Sequence, residues 1–452
     1  MIEILKNEFL YAFIASSLFI IVMVLSQIIK LKLKDFPEFS RKFAHICGGI
    51  ITLFFPYFFC SWLYPLILCI SFFFILIISK RFSLLSSVHG VDRESVGQYL
   101  FPIAIFLVYI LSSEKSFFVI SILVLTFSDS LSALIGKKYG SIVIQVRGAT
   151  KSLEGSISFI IVTFLVVLIP LLLMTDISKV NTLLIALVVA IVVCGAELIS
   201  FYGEDNLIIP LSSLFIINKM ASNTEFANLL LISYLFISVL MVLSIYIPVR
   251  KFKEASLISI MLIYFLMLTV CDIKWTVVYS IFNILIVILL VIYQKFFSID
   301  YKDHNIIKVL LINVPVTVLI FLNIIFKETD VLFVTFVSYL NAALIITAFY
   351  FLSEMYNEVR KVYNDLVIVL IISLFSISLI TVIPLCLFIG IFIEMMISCS
   401  ATLIAALVTI IVAKKQKNDI IYSKSKKRWS ILGLTFMIVL LINSFGYWIF
   451  GV

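Results

Sequence analysis

The chain has 452 residues, 63% hydrophobic and 13% charged, with a net charge of +8. Apolar runs of about twenty residues recur throughout, the length a helix needs to cross a bilayer, and no soluble domain is visible. The runs are continuous rather than alternating, which excludes a transmembrane barrel. The expected fold is all-α, a polytopic integral membrane helical bundle of about 15 to 16 transmembrane segments.

In chain order the apolar segments fall at 8–29, 44–59, 61–79, 98–113, 117–136, 155–174, 180–202, a short 206–218, and 226–249. The second half adds 256–271, 274–295, 305–326, 329–353, 365–387, 390–413 and 429–451. The first segment is too long for a signal-peptide core and lacks a small-residue cleavage site, so it reads as a retained helix. The run at 206–218 is thin for a span, and Pro210 predicts an irregular or re-entrant element there. Cys47, Cys60, Cys69, Cys194, Cys271, Cys386 and Cys399 lie in apolar runs without metal or disulfide spacing and read as small packing residues.

When these segments alternate across the bilayer, 27 of the 33 Lys and Arg fall in one set of loops, and Lys6, Lys115, Lys179, Lys219, Lys274 and Lys327 fall singly in the other. The positive-inside rule then makes the first set cytoplasmic and both termini external.

The stretch 127–156 is the densest in possible chemistry. Asp129 sits two turns before Gly136-Lys137-Lys138-Tyr139-Gly140, and a short linker carrying Arg147 leads to Lys151-Ser152-Leu153-Glu154-Gly155 at the start of the next apolar run. An acid, cations and flexible glycines suit a metal-bound polyphosphate. Three further clusters reach the same membrane face. Arg41, Lys42 and His45 share one helix face by their spacing. Arg93 and Gly97 form another cluster, and Glu197 is followed by Tyr202-Gly203-Glu204-Asp205-Asn206. Asp129 and Glu197 stand out, because an acid within an apolar span is costly and marks a functional or paired site. Arg41 and Lys42 also fit headgroup anchors, Glu154 a helix N-terminus, and His45 a packed histidine. His89 and His304 lack such company and read as structural or surface residues.

From about residue 38 to 250 these motifs resemble the CTP-dependent lipid kinases, which include dolichol kinase, phytol kinase and yeast-type diacylglycerol kinase and are related to phosphatidate cytidylyltransferase. The resemblance rests on Arg41-Lys42-x-x-His45, Arg93-x-x-x-Gly97 with Phe101-Pro102, and Ser128-Asp129-Ser130. It continues through Gly136-Lys137-Lys138-x-Gly140, Lys151-Ser152-Leu153-Glu154-Gly155, and Glu197 followed by Asp205-Asn206 and Pro210. It implies transfer of the terminal phosphate of CTP to a membrane-embedded alcohol (a polyprenol or dolichol, phytol or diacylglycerol) at the cytoplasmic face.

Under that resemblance Asp129 holds a divalent ion such as Mg2+. Arg41, Lys42, Lys137, Lys138, Lys151, Glu154 and Asn206 face the nucleotide and its phosphates, and Glu197, Asp205 or His45 serves as base. The His-Gly-Gly and Asp-Arg ending of the cytidylyltransferases is absent, which favours a kinase over an enzyme making a CDP-lipid.

Residues 1–250 thus read as a lipid-kinase-like membrane domain and 251–452 as a second helical membrane domain. The second has few acids in spans, chiefly Glu354 and Glu394. Its piece from Thr347 to Glu354 is similar to a motif of the phytyl-phosphate kinases, with Phe349 where that motif has an aspartate. This suggests a degenerate domain, or an unrelated helical bundle that binds lipid or stabilises the first domain. The basic loop Lys414 to Arg428 reads as a topology determinant. A transporter is the other reading of so many spans, but midplane polar sites in related repeats, which transporters show, are not evident.

Overall fold

A chain this apolar satisfies its backbone polar groups within helices, since lipid offers no partners. The computed structural model describes residues 2–32, 37–82, 96–146, 149–200, 202–247, 254–296, 305–326 and 330–358, with short pieces at 401–402, 404 and 436–443. The helices in chain order are α1 (Ile2–Lys32), α2 (Pro37–Thr52), α3 (Phe55–Phe58), α4 (Leu63–Arg81), α5 (Gly97–Leu111) and α6 (Lys115–Leu123). A π turn, Val124–Ser128, joins α6 to α7 (Asp129–Tyr139). Strands β1 (Val143–Val146) and β2 (Ala149–Ser152) follow, then α8 (Leu153–Met174), α9 (Lys179–Ile199), α10 (Asp205–Ala221) and α11 (Glu225–Tyr246). The remainder comprises α12 (Glu254–Val270), α13 (Ile273–Phe296), α14 (Asn305–Phe326) and α15 (Asp330–Glu358).

Among the described residues, seven helical stretches are long and apolar enough to cross a membrane: Asn7–Lys32, Leu63–Arg81, Lys115–Tyr139, Leu153–Met174, Lys179–Ile199, Glu225–Tyr246 and Ile273–Val291. Gly97–Leu111, Glu254–Val270, Asn313–Phe326 and Asp330–Ile345 are shorter apolar helices. The protein is an all-α polytopic membrane protein. The expected segment 365–387, the loop from Lys414 to Arg428, and Arg93, His89, Arg147, His304 and Glu394 lie outside the described residues, and 390–413 and 429–451 are described only at the short pieces.

Cα packing divides the chain into a first unit, Met1–Ser233, and a second, Tyr234–Val452, a division that falls inside α11. In the first unit Lys115–Tyr139 and Lys179–Ile199 each bury 67% of their most apolar window, against 11% for Asn7–Lys32. The two central helices of this unit are therefore the ones that carry Asp129 and Glu197.

Three local structures differ from expectation. The run at 44–59 is not one span: α2 starts earlier, with Pro37 pre-set for a first helical turn, and ends at Thr52, before the short α3. Its polar residues Ser40 and Lys42 point inward and are buried, and the Ser26 hydroxyl of α1 donates to the Ser40 carbonyl (2.9 Å). The stretch at 206–218 is a continuous helix through Pro210, not an irregular element. The linker after α7 is an antiparallel hairpin pairing Val143 with Ser152 and Ile144 with Lys151.

Two of the long helices start at serine caps. Ser152 starts α8 by accepting from the Gly155 amide (3.1 Å), and Ser178 starts α9 by accepting from the Asn181 amide (3.2 Å). Close crossings depend on glycine. A Cβ on Gly155 would lie 3.2 Å from the Gly136 Cα and 3.1 Å from the Ser132 carbonyl, so α7 and α8 approach through small residues, as membrane helices do. Gly49 of α2 is tighter, its place for a Cβ lying 2.7 Å from the Thr126 methyl and 2.9 Å from the Thr126 Cβ. Gly49→Ala is accordingly expected to destabilise the protein by about 1–3 kcal/mol through overpacking, and Thr126→Ala in the same chain to recover part of that. Thermal unfolding in detergent measures both.

Candidate active site of the first unit

The α2 residues named by the sequence meet Asp129 directly. Lys42 Nζ donates to Asp129 Oδ2 (2.7 Å) and to the Asp129 carbonyl (3.2 Å). The two side chains are only 4% and 9% exposed. His45 Nε2 lies 3.6 Å from the same carboxylate oxygen and 3.2 Å from the Leu125 carbonyl, with its ring 5.0 Å from that of Phe101. A carbonyl only accepts, so that bond places the proton on Nε2. Arg41 lies within electrostatic reach of both groups.

The π turn is what makes this cluster possible. Such turns widen the helix by one residue and recur at functional sites. Here the turn ends at Ser128, the residue before Asp129, and its Leu125 carbonyl faces His45. The hydroxyls of Thr126, Ser128 and Ser130, on either side of Asp129, are buried without a hydrogen-bond partner. Unmet hydrogen-bonding capacity of this kind is uncommon in a native interior and makes the surroundings of Asp129 polar.

A second ion pair lies within the same unit. Lys151, at the end of β2, donates to Glu197 Oε1 (2.7 Å), to the Glu197 carbonyl, and to the Ser200 hydroxyl (3.3 Å). The cation thus neutralises the carboxylate and caps the last turn of α9, where the helix dipole favours positive charge. Asp129 and Asp205 both lie within electrostatic reach of Glu197. The turn leading into α10 is strained: Tyr202 has φ of 55° and Gly203 of 88°. It is held by the Val96 amide donating to the Tyr202 carbonyl (2.8 Å) and the Asn206 amide donating to the Gly97 carbonyl (2.8 Å). Asp205 Oδ1 accepts from the Asn206 backbone N–H (2.9 Å).

Other sequence candidates take different places. Glu154 accepts from the Ser141 amide (2.9 Å), the Ser141 hydroxyl and the Ile142 amide (3.4 Å), so it anchors the entry of the hairpin to the start of α8. Lys137 and Lys138 are exposed at the end of α7 and make no ion pair among the described residues. At 1.5 Å per residue they lie about 12 Å along the helix from Asp129. Lys138 Nζ sits 5.0 Å from the Tyr139 ring centre. Ser200, Leu125 and Ser141 were not anticipated. Ser200 and Ser141 carry no sequence signal beyond being serines near helix ends, and a backbone carbonyl carries none.

A resident divalent ion is not what these side chains are built to hold. Among the described residues no group of three or more His, Cys, Asp or Glu side chains could hold a metal, and the Asp129 carboxylate is engaged by Lys42. Mg2+ commonly takes one or two protein carboxylates together with nucleotide phosphates. The donor set therefore fits an ion delivered with a nucleotide and does not fit a protein-only cage.

No profile of a known family matches the chain, and no solved structure matches it. Phytol kinase from Synechocystis sp. is 35% identical to it over 145 residues, which is 31% of this chain. The chain covers 62% of that protein's length. The two proteins are related.

Proposed function

We propose that this relative of phytol kinase is a membrane-embedded kinase that moves the terminal phosphate of CTP to the hydroxyl of a long-chain lipid alcohol. The observation that carries the reading is the Lys42–Asp129–His45 cluster, buried beside a π turn in a protein related to a phytol kinase. Interior charge of this kind is expensive in a membrane protein and is retained where it acts.

The alcohol oxygen attacks the γ-phosphorus, the bond from that phosphorus to the β–γ bridging oxygen breaks, and CDP leaves. Such transfers need positioning and charge neutralisation more than covalent help. Arg41 and Lys42 supply positive charge, and Lys151 does so from the hairpin; Lys137 and Lys138 form an exposed entry for the nucleotide. Asp129 keeps Lys42 in place and is the carboxylate that a nucleotide-borne Mg2+ would meet, the ion adding neutralisation of the phosphate oxygens. His45 donates to the Leu125 carbonyl through Nε2, which makes it a positioning residue. We assign the base to Glu197, which receives the hydroxyl proton, and give Asp205 and Asn206 the task of shaping the wall around it. We place the reaction at the cytoplasmic face, the side on which the positive-inside rule puts the basic loops.

The test is product identity. Purified full-length protein is incubated with CTP and, separately, phytol, a polyprenol, diacylglycerol and phosphatidate, and products are separated by mass. An alcohol monophosphate with CDP is the expected result. A CDP-lipid with pyrophosphate, formed from phosphatidate, would make the protein a cytidylyltransferase instead, and no product from CTP with any of the four lipids would refute both.

A further inference from the structure

The second unit has a core of a different chemistry. Its largest fully buried side chains are Trp275, Tyr264, Tyr279, Tyr339, Phe333 and Phe336, and every polar side chain buried among its described residues is uncharged. Most are paired: Tyr246 donates to Asn283 (2.6 Å), Tyr279 to Asn313 (2.9 Å), and Asn313 to Ser259 (2.9 Å). One group is not. Asn341 of α15 has no exposed surface, and neither its amide nitrogen nor its amide oxygen has a hydrogen-bond partner.

Asn341 continues a polar row on α15. Thr335, Ser338 and Asn341 recur every third residue, so successive members lie about one turn apart on one side of the helix, and all three are fully buried. The amide of Asn443 donates to the hydroxyls of Thr335 (3.2 Å) and Ser338 (3.3 Å), while its own oxygen is unpartnered. The row therefore offers one donor and two acceptors, with no charge, among aromatic side chains.

We infer that Asn341 and Asn443 form a binding site in the second unit for a neutral lipid that carries a single hydroxyl, a long-chain alcohol. A hydroxyl both donates and accepts, which matches the amides, and an alkyl or isoprenoid tail matches the aromatic surroundings. The groups that line the row are amides and hydroxyls, which suit a neutral hydroxyl rather than a charged group. One O–H could also come from a resident water, and the two sources separate by experiment. The inference does not rest on the kinase reading of the first unit.

The probe is a long-chain primary alcohol with a diazirine in its tail, irradiated with the full-length protein in detergent and mapped by mass spectrometry. The expected result is saturable labelling of peptides from 330–345 or 436–443, displaced by excess phytol. It should fall at least about 10-fold in both Asn341→Leu and Asn443→Leu and persist in Asp129→Asn. The matched hydrocarbon without the hydroxyl should label those peptides weakly. Equal labelling by alcohol and hydrocarbon, or labelling unchanged in both leucine variants, would leave only a resident water and overturn the inference. Two separate leucine variants guard against one failing to fold.

Discussion

Asp129→Asn is expected to reduce phosphate transfer by about 10^2- to 10^3-fold, on the scale seen when one preorganised electrostatic group is removed from an active site. It should also lower stability by about 3–5 kcal/mol, because Lys42, 4% exposed at its side chain, loses the carboxylate it pairs with at 2.7 Å. The two effects can be separated. Replacing both partners, as Lys42→Met with Asp129→Leu, fills similar volume with no buried charge, and such exchanges are often neutral for stability. The double variant should therefore melt near the wild type while remaining inactive. A double variant that regains both stability and activity would show that the pair only holds α2 against α7.

The second large effect is expected at Lys151 and Glu197, whose side chains are 15% and 13% exposed. Lys151→Ala removes three hydrogen bonds from one nitrogen, leaves the Glu197 carboxylate without its counter-ion, and uncaps α9. Its cost should approach the about 3–5 kcal/mol of a broken buried pair, visible as a lower melting temperature. Glu197→Gln keeps an oxygen for Lys151 and should cost far less stability. The same change removes the proposed base, so turnover should fall about 10^2- to 10^4-fold. KM for CTP should stay within about twofold, since Glu197 is assigned to proton transfer rather than nucleotide binding. A Glu197→Gln protein with normal turnover would transfer the base role to Asp205.

The sequence made the long helices legible because lipid imposes a simple rule: twenty apolar residues, capped by Ser152 or Ser178 where they begin. The expected 305–326 coincides with Asn305–Phe326. The short amphipathic α2 broke that rule. Its apolar run looked like the start of a span, yet its buried polar row faces another helix rather than lipid. The hairpin at 143–152 was missed although β-branched Val143, Ile144 and Val146 precede Gly148 and Thr150, a strand-and-turn composition short enough to be overlooked between two helices.

Of the candidate site, residue types were legible and pairings were not. Asp129 and Glu197 announced themselves as acids in apolar runs, but their counter-ions Lys42 and Lys151 lie 87 and 46 residues away, and nothing local encodes which cation goes with which acid. Proximity along the chain pointed instead to Lys137 and Lys138, which helical rise carries away from the carboxylate. Glu154, beside Lys151 in sequence, turns to the backbone of Ser141 and Ile142 because those amides emerge next to the first turn of α8.

The most direct test of the transfer centre is the initial rate at which purified wild type and Asp129→Asn, compared side by side, move label from CTP marked on its terminal phosphate to a long-chain lipid alcohol. The prediction is a labelled alcohol phosphate from the wild type and a rate about 10^2- to 10^3-fold lower from a folded variant. Equal rates from the two proteins, or label that never reaches an alcohol, would contradict it.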